Sequence, residues 1–341
     1  MGNKLKRRDF LKAGLATGAA TLLPGAVTSN TPGKEDDSFV IKSKKNDGTF
    51  KVNDFRCRPP LEAFWGLYQM RLGYIAQRPN YLGNPATHGT VPEAVKQYKS
   101  SNAMDLWWKE IDDAGIEAVV VAGRYMMGQP ANMTYKELLE YENKYKDRFY
   151  GIAPVSLDQA IPKAVDELET ALKSGMRGAT IEPGYRVAGG PTTMDDFSLY
   201  PLYETIQDSG KILQVQTGAF ANPNNWHDPN EIWRLDSVMK QFPKLRLVVG
   251  HAGYPSITEM LALALKWPSV TISSDVYTFW PGGQLYQQNI EMLQDQFVYG
   301  SAYPFGNFKE TLEQTLALPL SDQAMQKYLY TNSRRLLGLE S

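Results

Sequence analysis

The chain has 341 residues, 43% of them hydrophobic and 21% charged. These are the proportions of an ordinary folded protein; they exclude a disordered, collagen-like or coiled-coil chain and leave room for one large barrel domain. Lys plus Arg (36) and Asp plus Glu (37) nearly cancel, so there is no electrostatic footprint for nucleic acid, and a small molecule is the expected partner. Cys57 is the one cysteine, which rules out an intramolecular disulfide and a cysteine-based zinc site within the chain and leaves His88, His227 and His251 as the only histidines for metal binding.

Residues 4–12 read KLKRRDFLK, a basic run with the pair Arg7-Arg8, and the stretch AGLATGAATLLPGAV follows. That stretch is too short and too rich in Gly and Ala to span a bilayer, so no stable membrane anchor is expected. Paired arginines ahead of a modest apolar segment predict a twin-arginine export signal over residues 1–30 and a periplasmic or otherwise exported protein. Its removal takes away five basic residues (Lys4, Lys6, Arg7, Arg8, Lys12) and one acidic residue (Asp9), shifting the formal net charge from −1 to about −5. A polar linker is expected at 31–48 and the folded domain at 49–341.

In that domain eight short apolar runs end in turn or polar residues: FKVNDFRC, EAVVVAGR, FYGIAPVS, RGATIEPG, ILQVQTG, LRLVVGHAG, VTISSDVY and QFVYGSAYP. Between them lie segments with helical spacing of apolar residues, among them MDLWWKEIDDAGI, IPKAVDELETALKSG, YPLYETIQDSG and ITEMLALALKW, several closed by Gly. Strands alternating with helices predict parallel pairing by right-handed crossovers, and eight such units predict an α/β fold, a (β/α)8 TIM barrel. A doubly wound open sheet is the alternative, and the lack of a Gly-x-Gly-x-x-Gly between the first strand and the first helix speaks against it. Residues 59–100, rich in aromatics and proline, are too long for a simple connection and are expected to form an insertion after strand one that caps the barrel mouth.

In such a barrel the chemistry sits at the carboxyl ends of the strands. Those positions are Arg56 and Arg58, Arg124, Ser156, Glu182, Gln216, His251, Asp275 and Ala302. With VVGHAGYP at strand six, YGSAYPF at strand eight and YTNSRRLLGL at the closing helix, the chain resembles the amidohydrolase-related family over about residues 50–340, the branch that includes aminocarboxymuconate semialdehyde decarboxylase and the lactonases. The resemblance implies a metal-dependent-hydrolase-like barrel. In that family strand one carries Asp-x-His-x-His, strand five another His, and strand eight an Asp that binds metal or acts as base. Here strand one reads Asp54-Phe55-Arg56-Cys57-Arg58, so both histidine positions hold arginine, Gln216 and Ala302 stand at the other two, and of the ligand positions only His251 survives. A guanidinium is protonated and cannot ligate a cation, so no metal and no other cofactor are expected.

Arg56 and Arg58 are two apart on one strand and so share a face; they predict a cationic fork for a carboxylate or a developing oxyanion. The competing reading is a decayed enzyme in which the two arginines pair with Glu182 or Asp275 as a structural ion network. Cationic neighbours keep an imidazole neutral, so His251 is expected as acid or base, with Asp275 orienting it and Glu182 as a further catalytic candidate. Arg124, Gln216 and Tyr303 are expected to bind substrate, as are Arg124-Tyr125 and Tyr185-Arg186 at the rim. Phe64-Trp65, Trp107-Trp108 and Phe279-Trp280 are either core or walls for a ring-shaped ligand. The expected activity is metal-independent hydrolysis of a small carboxylated, cyclic compound such as a lactone; decarboxylation or another lyase reaction and a non-catalytic anion-binding barrel are the alternatives. Relatives also suggest a homodimer.

Overall fold

The computed structural model describes residues 47–77, 90–125, 133–182, 191, 193–217 and 231–339. The export signal, nearly all of the linker, the rim candidates Tyr185 and Arg186, and the histidines His88 and His227 lie outside these residues. Seven strands run β1 (Asn53–Asp54), β2 (Ala118–Ala122), β3 (Phe149–Pro154), β4 (Gly178–Ile181), β5 (Ile212–Gln216), β6 (Arg246–Gly250) and β7 (Val270–Ser273). All neighbours pair in parallel and in sequence order.

Helices α1 (Trp65–Gln77), α2 (Glu93–Lys96) and α3 (Ala103–Ala114) precede β2, and α4 (Tyr135–Lys144), α5 (Ile161–Lys173) and α6 (Tyr200–Ser209) connect β2 through to β5. Next come α7 (Glu231–Gln241), α8 (Ile257–Lys266), α9 (Gln284–Asn289) and α10 (Phe308–Leu316), then α11 (Asp322–Gln326) and α12 (Asn332–Leu337). Each crossover needs a helix that stops sharply before the next strand. Gly115 (φ 72°) closes α3 and Gly210 (φ 67°) closes α6 in the left-handed conformation that glycine adopts without strain.

The eighth run does not form a regular strand. Phe297 makes a single parallel bridge to Ile272, Val298 N–H donates to Ile272 O (3.0 Å), and on the other side Phe55 N–H donates to Tyr299 O (2.8 Å). Residues 297–299 therefore lie between β7 and β1 and hold the eighth place in the ring, but β1 is only two residues long and offers little ladder to pair with. Strand side chains alternate between two buried faces. Ala118, Val120, Tyr150, Ile152, Ile212, Val248 and Val298 form one apolar cluster, while Val119, Val121, Phe149, Leu213, Val215, Leu247 and Val249 belong to the larger one shared with the helices. Trp107, fully buried, and Trp108 are core in that larger cluster.

Candidate active site at the strand ends

Backbone geometry marks the ends of the last strands. His251 (φ 60°), Asp275 (φ 55°) and Ala302 (φ 51°) all adopt the left-handed region without being glycine, which costs on the order of 1–3 kcal/mol each and persists only where the surroundings hold it. Two of the three project into one buried hydrogen-bonded group around Arg56.

The Arg56 guanidinium is 2% exposed. Its Nε lies 2.8 Å from Asp275 Oδ2, its Nη2 lies 3.1 Å from His251 Nε2, and Nη2 also donates to Gln216 Oε1. His251 Nδ1 is 3.1 Å from the same Asp275 oxygen. Because a guanidinium can only donate, the network assigns the imidazole proton to Nδ1 and the lone pair to Nε2 facing Arg56. Burial, and then the Arg56 charge, depress His251 to about 3 against the pull of Asp275, so the ring is neutral. Burial pushes the Asp275 carboxyl up, but Arg56, His251 and the Ser273 hydroxyl (Oγ to Oδ1, 2.6 Å) outweigh it and leave the carboxyl below its ordinary value.

Asp54 supports the strand that carries Arg56. Its Oδ1 accepts from Arg56 N (2.9 Å) and Ser301 N (3.1 Å), and burial raises the carboxyl to about 6 despite those bonds. Two glycines make room. A Cβ on Gly250 would fall on the Arg56 guanidinium, and one on Gly300 would meet Asp275 Oδ1 and Arg56 Cβ at 2.7 and 2.9 Å.

Beside this group opens a recess lined by Arg56, Cys57, Arg58, Phe64, Leu67, Ala122, Gly123, Arg124, Glu182 and Gln216. Arg58 is 8% exposed, and no hydrogen bond or ion pair among the described residues engages its guanidinium. Burial, then Arg56 and Arg124, pull it down to about 9, so it is still charged at neutral pH. Arg56 Nη1 is likewise without a hydrogen-bond partner there. Arg124 Nε stands 3.8 Å from Glu182 Oε2, too far for a hydrogen bond. Three arginines thus line a recess in which Glu182 is the one carboxylate among the described lining residues.

The expected fork is therefore asymmetric. Arg56 is tied down by Asp275, as the ion-network reading anticipates, while Arg58 has no such partner. His251 and Asp275 stand behind Arg56 rather than at the recess, and the lone pair with which His251 would take a proton is turned toward Arg56. Glu182, Arg124 and Gln216 do reach the recess. Tyr303 does not: fully buried, it stacks on Phe308 at 4.3 Å and meets Tyr68 edge-on at 6.0 Å. Tyr125 turns its hydroxyl toward Glu167 (3.4 Å), and Ser156 Oγ accepts from Asp158 N (3.3 Å). Trp280 packs against Tyr277 and Tyr254, with Tyr277 edge-on to His251 at 5.2 Å. Sequence reasoning passed over Ser273, Gly250 and Gly300, and met Asp54 only as the first residue of the strand-one motif. Their signal is small or acidic residues immediately beside each strand-end position.

A family model described as amidohydrolase matches residues 110–339. The chain belongs to the amidohydrolase family. A second model, the twin-arginine translocation pathway signal sequence, matches residues 4–24, and the protein is exported by that route. No curated protein matches the chain. Among solved structures, an uncharacterized TIM-barrel protein from Bordetella bronchiseptica is 28% identical with a TM-score of 0.73, over 85% of this chain and 99% of that one. The 5-carboxyvanillate decarboxylase from Novosphingobium aromaticivorans, with bound manganese and 3-methoxy-4-hydroxy-5-nitrobenzoic acid, is 16% identical with a TM-score of 0.59, over 87% and 99%. The 2,6-dihydroxybenzoate decarboxylase from Rhizobium is 16% identical with a TM-score of 0.56, over 85% and 99%. The likeness establishes the amidohydrolase TIM-barrel fold.

A divalent cation of the kind bound in that manganese complex does not fit the side chains gathered here. The acceptors of His251, Asp275 and Gln216 converge on a guanidinium that already carries the charge, and among the described residues no three His, Cys, Asp or Glu side chains come together as a ligand set.

Proposed function

We propose that this amidohydrolase is an exported, metal-independent hydrolase of a small carboxylated, ring-containing ester such as a lactone. The observation that carries the reading is Arg58, a buried cation with no protein partner among the described residues, facing a recess that also holds Glu182. An unpaired buried charge is heavily penalised, so a site that keeps one is built for an anion. Glu182 takes a proton from water as its oxygen adds to the ester carbonyl. The charge that develops on the carbonyl oxygen meets Arg58, and Arg124 receives the substrate carboxylate. The ring carbon–oxygen bond then breaks, and the leaving oxygen takes the proton back from Glu182. Phe64 and Leu67, from the segment between β1 and α1 and from α1 itself, supply an apolar wall, which supports a capping role for the described part of 59–100; residues 78–89 lie outside the described residues.

Decarboxylation is the second reading, and the names of the solved decarboxylases favour it. It fits the charges less well. A guanidinium on a carboxylate that must leave as neutral carbon dioxide stabilises the ground state, whereas a guanidinium on a developing oxyanion stabilises the transition state. Incubating the purified protein with aromatic lactones and with hydroxybenzoates in heavy-oxygen water separates the two. The hydrolase reading expects heavy oxygen in a newly formed carboxylate; carbon dioxide release from the hydroxybenzoates would replace it with the lyase reading. Saturable binding without turnover of either class would make the barrel an anion-binding protein.

A further inference from the structure

Three acceptors from three consecutive strands meet one side chain from a fourth. Gln216 Oε1 at the end of β5, His251 Nε2 after β6 and Asp275 Oδ2 after β7 all address the Nε–Nη2 edge of Arg56, which follows β1. The acceptors are themselves fixed from behind. Ser273 Oγ holds Asp275, His251 N–H donates to Asp275 Oδ2 (3.3 Å), and both residues sit at positive φ. The absence of a Cβ at Gly250 leaves the volume that the guanidinium fills, and its absence at Gly300 leaves room for Asp275 Oδ1 and the Arg56 Cβ. Preorganised acceptors, a shaped volume and a planar cation are the parts of a binding site; here the ligand is covalently attached.

We propose that Gln216, His251 and Asp275 form a binding site for a guanidinium-type cation, that the chain fills it with its own Arg56, and that removal of this side chain lets a small free guanidinium compound enter in its place. Gln216, His251 and Asp275 are then positioning residues, which hold the Arg56 guanidinium in place beside the recess; of the three only Gln216 also lines it. The inference deepens the metal-independent reading above, since a resident guanidinium supplies the fixed positive charge. Its test reads stability rather than turnover, so a wrong substrate or reaction leaves it standing.

The experiment is thermal melting of the parent, Arg56→Ala and Arg56→Ala/Asp275→Asn, each titrated with millimolar methylguanidinium, tetramethylammonium or manganese chloride. Methylguanidinium should raise the melting temperature of Arg56→Ala saturably, by about 2–4 °C at ten times its dissociation constant, and leave the parent and the double variant unmoved. Tetramethylammonium, which has charge but no N–H donors, should do nothing. No rise with methylguanidinium, an equal rise in all three proteins, or a rise with manganese alone would overturn the proposal. Should Arg56→Ala not accumulate in folded form, it is refolded from urea with and without methylguanidinium, and recovery independent of the compound overturns the proposal equally. Gly250→Ala provides a separate check: it should lower the melting temperature of the parent and have little effect beside Arg56→Ala, and equal losses in both backgrounds would count against a volume reserved for the guanidinium.

Discussion

Burial sets the charge states of this site, and two neighbouring residues pull the pH dependence of stability in opposite directions. His251 lies near 3 in the folded protein against 6.5 in a free chain; its contribution is present above about pH 6.5 and lost as pH falls toward 3. Asp54 lies near 6 against 3.8; its contribution is present below about 3.8 and lost as pH rises through 6. Between pH 4 and 6 the two slopes offset each other. Asp54→Asn should therefore make stability rise with pH across that window, and His251→Gln should make it fall, each by on the order of 1–3 kcal/mol. Urea denaturation at pH 4.5 and 6 reads both signs, and parallel slopes in the two variants would contradict the assignment. For the chemistry, Glu182→Gln should lower kcat by roughly a hundred- to ten-thousand-fold with little change in KM, measured on whichever lactone turns over; a selective rise in KM would make Glu182 a binding residue. The sequence alone revealed which side chains stand at strand ends, because position on a strand is a local property. It left open how Arg56 and Arg58 divide their roles, since that depends on which of them the far ends of β5, β6 and β7 can reach.

Along the elements, parallel order and helix ends were legible because hydrophobic period and glycine stops are written locally. The eighth strand was not, since its irregularity follows from the shortness of its partner β1 rather than from its own apolar run. Where α7 packs on α8, a polar group that periodicity does not show sits at the surface: Asp236, 7% exposed, accepts from Lys266 Nζ (2.7 Å) and Trp267 Nε1 (2.8 Å) and pairs with Lys240 (3.0 Å). Burial raises its carboxyl, yet these bonds hold it down to about 2, so the stability they give is present above about pH 3.8 and lost as pH falls toward 2. Asp236→Ala should cost about 1–3 kcal/mol at pH 7 and progressively less below pH 4, by urea titration; a cost unchanged at pH 3 would assign the effect to packing. Gly300→Ala should destabilise by about 1–3 kcal/mol through crowding of Arg56 and Asp275, and an unchanged denaturation midpoint would show that the strand end yields.

At the scale of the molecule, export and fold were both readable, the first from Arg7-Arg8 ahead of a weakly apolar run, the second from repeated strand–helix alternation. Among the described residues no helix is long and apolar enough to cross a membrane. Replacing both Arg7 and Arg8 by Lys should hold the precursor in the cytoplasm, and fractionation that finds it exported as well as the parent would contradict the signal assignment. In this barrel arginine holds the anion, in the place where a metal cation would otherwise serve. The most direct measurement is calorimetric binding of benzoate and of its neutral analogue benzamide to the mature protein after exhaustive chelation and dialysis, beside Arg58→Ala. Benzoate should bind the chelated parent, benzamide should not, and Arg58→Ala should weaken benzoate by roughly thirty-fold or more. Benzoate binding that appears only when manganese or zinc is restored, or that survives unchanged in Arg58→Ala, would contradict it.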